Sequence, residues 1–327
     1  MKLSGILLIT GRFLGFRKNR QKLADENFAS SVAKKSLRGA VLGIALCLVP
    51  LIVVQVVCDG MISGMLSRIQ ELSSYHAQFI DFGFYGEPKE YLEISKNLEK
   101  YPVVKNAYAE KQGSCIVVGK KGRTGGFLRA IEEDFFTADS GVNSYMQCLK
   151  GELNLSNKKT ALIGSKLATV TGLSVGDSIR ILTLKKNSRG VMVPKVSTFK
   201  IGGIFSSGFQ DLDALWVFVP FEEGCSVLET DSSRTLIGIK THDVNQTNND
   251  LKKELRLISP LGFSPYTWMD LNSSTYQSYM TTKNAVTIYN GFNFTSCSCS
   301  YFFGFDFVSN GTKKRNCHLK KYGRIPF

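Results

Sequence analysis

The chain has 327 residues, 43% of them hydrophobic, and carries a net charge of +14. This length suits one large domain or two modest ones, and the composition predicts a packed core. The charge sits at the ends, because residues 1–38 carry +7, residues 291–327 carry +5 and the middle is close to neutral. A nucleic-acid-binding protein carries its positive charge on the folded domain. The distribution therefore excludes that class and is typical of sequence that flanks a membrane segment.

The first element along the chain is an uncharged apolar segment, residues 39–57. Its length is about that needed to cross the hydrocarbon core of a bilayer, and the proline within it is tolerated in membrane helices. We predict a transmembrane helix at residues 39–58. Lysine and arginine cluster before this segment and Asp59 follows it. By the positive-inside rule, residues 1–38 are cytoplasmic and the chain after residue 58 is exported.

The apolar segment has two other interpretations besides a membrane anchor. A cleaved signal peptide is disfavoured because the apolar stretch starts late, is too long and lacks a small-residue cleavage site. A buried core helix is the second alternative, and apolarity alone does not exclude it. Residues 3–16 are apolar around Arg12, which predicts an interfacial helix on the cytoplasmic leaflet.

Residues 59–285 form the predicted exported domain, an α+β unit of short strands and helices. Residues 61–72 keep a helical period and predict a stalk that continues the transmembrane helix outward. In the helix predicted at 244–257, Leu251, Leu255 and Leu257 are expected to point inward. The predicted strands are 103–109, 114–119, 127–131, 161–164, 178–184, 197–204, 215–219 and 235–240, and the other predicted helices are 91–100, 165–171 and 220–223.

A turn motif follows the helix predicted at 165–171. Gly172 is the residue type that ends helices in the left-handed conformation, and Gly176 with Asp177 predicts a tight turn before the next strand. We predict that these three residues are structural.

Nothing in the sequence assembles a catalytic site. The phosphate-binding pattern G-x-x-x-x-G-K-[ST] does not occur, so any ATP hydrolysis is assigned to another polypeptide. The three histidines lie in no known signature with a serine or cysteine nucleophile. The spacing of Cys297, Cys299, Cys317 and His318 fits no common zinc pattern. We predict no catalytic residue, no cofactor and no metal.

Three segments in a fixed order carry a family resemblance. They are the apolar stretch around residues 43–61, the run LIGSKLATVTGLSVGDSIRIL at 162–182 with the turn motif, and FKIGGIFSSGFQDLDALWVFVPFEEG at 199–224. Over residues 28–285 the sequence resembles bacterial ABC-transporter permeases of the lipoprotein-releasing (Lol) type, in the broader MacB/FtsX-like group.

The resemblance implies a permease subunit of the inner membrane, with a cytoplasmic N-terminus and a periplasmic MacB-like domain. Its partners would be membrane lipid, a separate ABC ATPase subunit, a second permease subunit of the same or a related chain and a periplasmic lipoprotein carrier. ATP-driven closure would move the exported domains, which is mechanotransmission, and the subunit itself would not be an enzyme. We expect one loop to contact a periplasmic partner through Phe205, Gly208, Phe209, Asp211 and Asp213.

The sequence departs from the family after residue 285. Family members continue into three more helices, whereas residues 286–327 form a basic tail rich in Phe, Ser, Asn and Gly, expected to be disordered. A frameshift near residues 283–288 would explain this, because back-translation one nucleotide later gives an apolar segment followed by EIAILKSMGA, which resembles a cytoplasmic loop of the family. Such a truncated permease would be inactive alone in transport. A genuine divergent tail is the alternative.

Two other functions stay open from the sequence. One is a single-pass membrane protein whose exported domain binds a partner. The other is a membrane-bound hydrolase, which ranks last because no nucleophile and base are paired.

Overall fold

The computed structural model describes residues 26–81, 86–186, 189–229, 233–242, 248–293 and 295. Residues 64–276 form one compact unit, which keeps the name of the predicted exported domain below, and the described residues before 64 and after 276 form a second, the helical unit. The interfacial helix predicted at 3–16 lies outside the described residues, as does most of the predicted tail.

The helical unit is built on α1, a helix of 43 residues from Glu26 to Arg68 whose last residues belong to the exported domain. The span Val49–Ser74, which is long and apolar enough to cross a membrane, begins within α1 and ends with the π-helical turn that follows it. Most side chains between residues 49 and 61 are exposed, for example Val56 at 64%. Apolar side chains without a protein partner are what a lipid-facing helix requires. The transmembrane helix predicted at 39–58 lies wholly within α1.

A second helix in the helical unit covers residues 273–293 and is called the return helix below. It passes the domain boundary predicted at 285 without a break. Residues 286–293 therefore continue regular structure further along the chain than the sequence pattern indicates.

The exported domain contains one mixed sheet of ten strands in the order β10-β1-β9-β2-β3-β8-β5-β7-β4, with β6 paired to β2 and β7. The β3–β8 and β5–β7 pairs are parallel and the others are antiparallel. The strands are β1 Ala77–Asp81, β2 Val104–Val118, β3 Arg123–Ile131, β4 Gln147–Gly151, β5 Thr160–Gly164, β6 Ser178–Lys186, β7 Met192–Ser206, β8 Trp216–Pro220, β9 Arg234–Thr241 and β10 Phe263–Thr267. The helices are α2 Pro88–Leu98, α3 Phe135–Ala138, α4 Ser140–Tyr145, α5 Ser165–Thr171, α6 Gln210–Leu215, α7 Phe221–Val227, α8 Asn248–Ile258 and α9 Trp268–Leu271.

The sheet has a hydrophobic core on each face. Neighbouring residues of one strand point to opposite faces, and in β2 Ala107 joins an aliphatic core whereas Tyr108 joins an aromatic one. The aromatic core contains Tyr75, Phe135 and Phe218, whose rings pack edge-on or tilted. This second core is the one that receives the end of the stalk.

Most predicted elements are present, and two predictions are corrected. The strands predicted at 103–109 and 114–119 form one strand, β2, because its centre pairs with β3 on one side and β9 on the other. Leu257 was predicted to point inward and is 87% exposed, whereas Leu251 and Leu255 are buried. A residue two positions after a buried one lies about 200° around the helix, so Leu257 faces solvent.

Candidate functional site

The stalk enters the domain through an unusual backbone. Helix α1 ends at Arg68 and runs into a π-helical turn, Ile69–Ser74. Tyr75 then adopts φ 55°, the one positive φ at a non-glycine residue in the part of the chain that the structure describes. Its ψ of −176° places it in a region that glycine occupies almost exclusively, where another residue costs about 1–3 kcal/mol, and π turns are frequent at functional positions. We call residues 68–76 the stalk end, and its contacts must hold this backbone in place.

A buried ion pair clamps the stalk end to the sheet. Arg129 of β3 and Glu110 of β2 are both fully buried and form a bidentate pair, through Nε to Oε1 and through Nη2 to Oε2 at 2.8 Å. Arg129 Nη1 also donates to the Leu72 carbonyl at 2.6 Å, and the Tyr75 hydroxyl donates to Glu110 Oε2 at 2.5 Å. The pair therefore fixes the stalk by its backbone and by a side chain.

The electrostatics of this clamp favour the charged form of Arg129 and the neutral form of Tyr75. Burial alone would lower the pKa of the Arg129 guanidinium, but the Glu110 carboxylate outweighs it and raises that pKa. Burial, together with the Glu110 charge, holds the pKa of Tyr75 well above its ordinary value, so its hydroxyl stays a donor. The guanidinium also lies 4.5 Å from the centre of the Trp216 ring, where a cation is attracted to the aromatic face.

A second charged cluster ties the stalk end to β9 and α4. Lys240 is buried, and its Nζ lies 2.6 Å from Glu71 of the π turn. It also lies 2.6 Å from Asp139 Oδ2, within ion-pair distance although outside hydrogen-bonding geometry. The other oxygen of Asp139 accepts from the first backbone N–H groups of α4. One lysine thus joins the stalk to a helix cap.

His76 completes the second cluster. Its Nδ1 accepts from the Thr241 backbone N–H at 2.9 Å, which assigns the proton to Nε2. Nε2 then donates to Glu71 Oε1 at 3.3 Å. The imidazole therefore orients the carboxylate that pairs with Lys240.

Arg68 contacts the loop after β7. Its Nη1 donates to the Ser207 carbonyl at 3.3 Å, and its guanidinium lies over the rings of Tyr145 and Phe209. Gly208 has φ 74°, and a Cβ there would overlap Arg68 Nη1. The positive φ favours glycine, and a Cβ would displace the Arg68 guanidinium from its present position.

The structure buries two of the residues that the sequence predicts as partner contacts and leaves the other three exposed or half-buried. Asp213 is buried and accepts from Ser207 N and Ser207 Oγ, both at 2.7 Å. Phe205 is fully buried in the aromatic core. These two residues hold the loop and its strand together and are buried, whereas the sequence predicts an exposed loop. Contact through Gly208, Phe209 and Asp211, which are exposed or half-buried, stays a prediction.

Replacing Gly208 tests the grip of Arg68 on this loop. Gly208→Ala should cost about 1–2 kcal/mol for the left-handed backbone, and more because Arg68 must leave the Ser207 carbonyl. Gly176→Ala is the matched control, since Gly176 has φ 88° and open space where a Cβ would stand. Denaturant unfolding of the two variants should show the larger loss for Gly208→Ala. Equal losses would mean that Arg68 contributes nothing to the loop.

The turn motif is a structural joint away from the stalk. Gly172 ends α5 at φ 66°, and Gly176 donates to the Ile201 carbonyl at 2.8 Å. Asp177 accepts from Ser174 N and from Lys120 Nζ, and the Lys120 ammonium is the main cause of the lowered pKa of Asp177. The motif therefore joins α5, β6 and the β2–β3 turn.

An apolar surface lies on the β6–β7 hairpin. Leu184, Val196 and Met192 are exposed there, and Ile116 of the neighbouring β2 is exposed beside them. Leu182 is paired both with Ile116 and with Val196, so these side chains share one sheet face. Contiguous exposed apolar area of this kind marks interaction surfaces.

The sequence does not predict the charged residues that bind the stalk end. Arg129 stands inside a run that otherwise reads as an apolar strand, and a charge within such a run is the available signal. Glu110 lies between two predicted strands, where a charge gives no such signal. Among the described residues, no group of three or more His, Cys, Asp or Glu is placed to hold a metal.

Comparison with known proteins gives a family. The model of the MacB-like periplasmic core domain matches residues 39–256, more than half of the chain. The lipoprotein-releasing system transmembrane protein LolC of Xylella fastidiosa strain 9a5c is 28% identical over 150 residues, which cover 45% of this chain and 34% of LolC. LolC of strain Temecula1 is 27% identical over the same coverage. The chain spans about a third of the length of these relatives.

Two solved structures are also similar. The periplasmic region of MacB from Actinobacillus actinomycetemcomitans is 12% identical with a TM-score of 0.40, and the match covers 64% of this chain and 95% of that one. The extracellular domain of the noncanonic ABC-type transporter YknZ from Gram-positive bacteria is 14% identical with a TM-score of 0.39, covering 58% and 100%. Because both TM-scores are low, the assignment rests on the family model and the order of sequence motifs. The chain belongs to the family defined by the MacB-like periplasmic core domain.

Proposed function

We propose that the chain is the anchor and exported domain of an ABC-transporter permease subunit that works by mechanotransmission. A membrane helix moved by a partner ATPase would move the exported domain as one body. The protein would sit in the inner membrane with its domain in the periplasm, and a second permease subunit would complete the transporter.

The observation that carries this proposal is the clamp on the stalk end. A helix that only anchors a domain needs no rigid joint, because a flexible linker serves equally well. Here the π turn is held by Arg129, Glu110 and Lys240, which are almost wholly buried. Burying charges is costly unless each is paired, so the stalk end would leave the sheet only by breaking buried ion pairs. A rigid joint is what transmission of movement requires.

The substrate that fits the resemblance is a lipoprotein leaving the inner membrane. A lipoprotein carries acyl chains that water excludes, so its release needs a periplasmic carrier with an apolar surface. The β6–β7 hairpin offers an exposed apolar face for contact with such a carrier. Lipoprotein release is therefore tested separately from the permease role.

The permease role is tested by purifying the tagged chain from membranes of its source cells in mild detergent. We expect a P-loop ATPase to co-purify, as judged by mass spectrometry. The control replaces residues 26–63 with an unrelated membrane helix and keeps the exported domain, and it should recover no ATPase. Absence of any P-loop ATPase from the intact chain would favour the single-pass, partner-binding alternative.

Lipoprotein release is tested on the recovered complex in proteoliposomes that contain a fluorescent lipoprotein. We expect release to a soluble carrier that depends on ATP hydrolysis. ATP hydrolysis without release would keep the permease role and contradict the lipoprotein substrate.

A further inference from the structure

The two helices of the helical unit share a line of polar contacts. Asn290 Nδ2 donates to Gln55 Oε1 at 3.1 Å and to the Leu51 carbonyl at 3.4 Å, and Gln55 Nε2 donates to Thr287 Oγ1 at 3.3 Å. Toward the exported end, Lys283 Nζ lies 3.3 Å from Asp59 Oδ1. These contacts pair early positions of one helix with late positions of the other, so the helices run antiparallel.

The pattern of burial agrees with a helix pair. On α1 the covered positions are Leu51, Gln55, Cys58 and Asp59, while Val54 and Val56 are exposed. On the return helix the half-buried positions are 275, 276, 279, 280, 283, 286, 290 and 293. Spacings of three and four residues place each set on one face. Gln55 and Asn290 therefore lie on the faces that meet, and the exposed Thr287 lies at the edge of the contact.

Gln55 falls inside the apolar segment of α1, where an unsatisfied carboxamide is costly. No water reaches the hydrocarbon core, so each polar group there must find a partner in the protein. Polar side chains that hydrogen-bond across helices are a recognised means of joining helices in membranes. The return helix supplies partners for both ends of the Gln55 carboxamide.

We propose that Gln55, Thr287 and Asn290 form a polar lock that holds the return helix against α1 inside the bilayer. The family resemblance already implies that the chain re-enters the membrane after its exported domain, and the lock would fix that returning helix, with Asp59 and Lys283 paired near the exported surface. Asn290 lies in the segment predicted from the sequence to be an aberrant tail. The inference gives that part of the segment a role in membrane packing, and it does not depend on the ATPase or the substrate.

Proximity is tested by cross-linking the full chain in native membranes with a short bifunctional methanethiosulfonate. The test pair is Gln55→Cys with Asn290→Cys, and the control pair is Val54→Cys with Ile288→Cys, both on exposed positions. Cys58 is replaced by Ala in each, and linked peptides are identified by mass spectrometry. We expect a several-fold higher yield from the test pair, and equal yields would overturn the helix pairing.

The lock itself is tested with a second pair, Asp59→Cys and Lys283→Cys, at the far end of the same seam. Adding Asn290→Leu should lower its cross-linking yield several-fold, because the carboxamide contacts are lost. Adding Tyr289→Leu, at an exposed position, should leave the yield unchanged. If Asn290→Leu has no larger effect than Tyr289→Leu, the polar side chains do not hold the helices and the proposal is wrong. Neither readout requires transport, so its outcome is independent of the permease role.

Discussion

Arg129→Met is expected to lower the free energy of unfolding by about 3–5 kcal/mol, because it leaves the Glu110 carboxylate buried without its partner. The Leu72 carbonyl and the face of Trp216 lose their contact at the same time. The measurement is denaturant unfolding of the full chain in detergent, followed by circular dichroism. Arg123→Met is the control on the same strand, since Arg123 is exposed, and it should change stability by less than about 1 kcal/mol.

A second substitution separates the charge from the packing. Glu110→Gln in the Arg129→Met background removes the unpaired charge and keeps an acceptor for the Tyr75 hydroxyl. The double variant should therefore recover a large part of the loss, as a double-mutant cycle would show. A double variant as unstable as the sum of the two single changes would contradict a dominant role for the ion pair.

Lys240→Met should cost about 3 kcal/mol, because Asp139 is buried and keeps one oxygen without a cation. Lys252→Met is the matched control, since Lys252 pairs with Asp270 at a half-exposed site, and such pairs contribute roughly 0–1 kcal/mol. Thermal unfolding of both variants, with the unmodified chain beside them, gives the comparison.

The Lys240 prediction also has a rescue. Asp139→Asn keeps the side-chain oxygen that caps α4 and removes the charge, so it should restore much of the stability of Lys240→Met. A failure of rescue would indicate that Lys240 acts through Glu71 of the stalk and not through the helix cap.

Local sequence patterns predict the part of the fold that depends on local contacts. The helix at Ser165–Thr171 and the glycine that ends it follow from periodicity and from the conformational freedom of glycine. The strand break expected near Gly113 is different, because Glu110–Gly113 reads as a turn. Pairing of β2 on both sides keeps this segment extended. Pairing between distant strands cannot be predicted from the sequence of one strand.

The contacts of the stalk end also depend on pairing between distant strands, so the sequence does not predict them. Glu110 and Arg129 are 19 positions apart and meet because β2 and β3 pair in one register. Lys240 meets Glu71 across 169 positions. The sequence also does not predict which side chains of the 205–213 loop are exposed. Asp213 is buried because serines at the end of β7 donate hydrogen bonds to it, and this contact depends on the fold.

Amide hydrogen exchange of the full chain tests most directly whether the stalk end and the exported domain are one rigid body. The account predicts that residues 69–76 exchange as slowly as β3, because clamping by Arg129 and Lys240 lets the stalk end open only when the domain unfolds. Exchange of residues 69–76 as fast as that of the exposed edge strand β4 would contradict it, because a stalk that frays independently of the sheet cannot transmit movement to it.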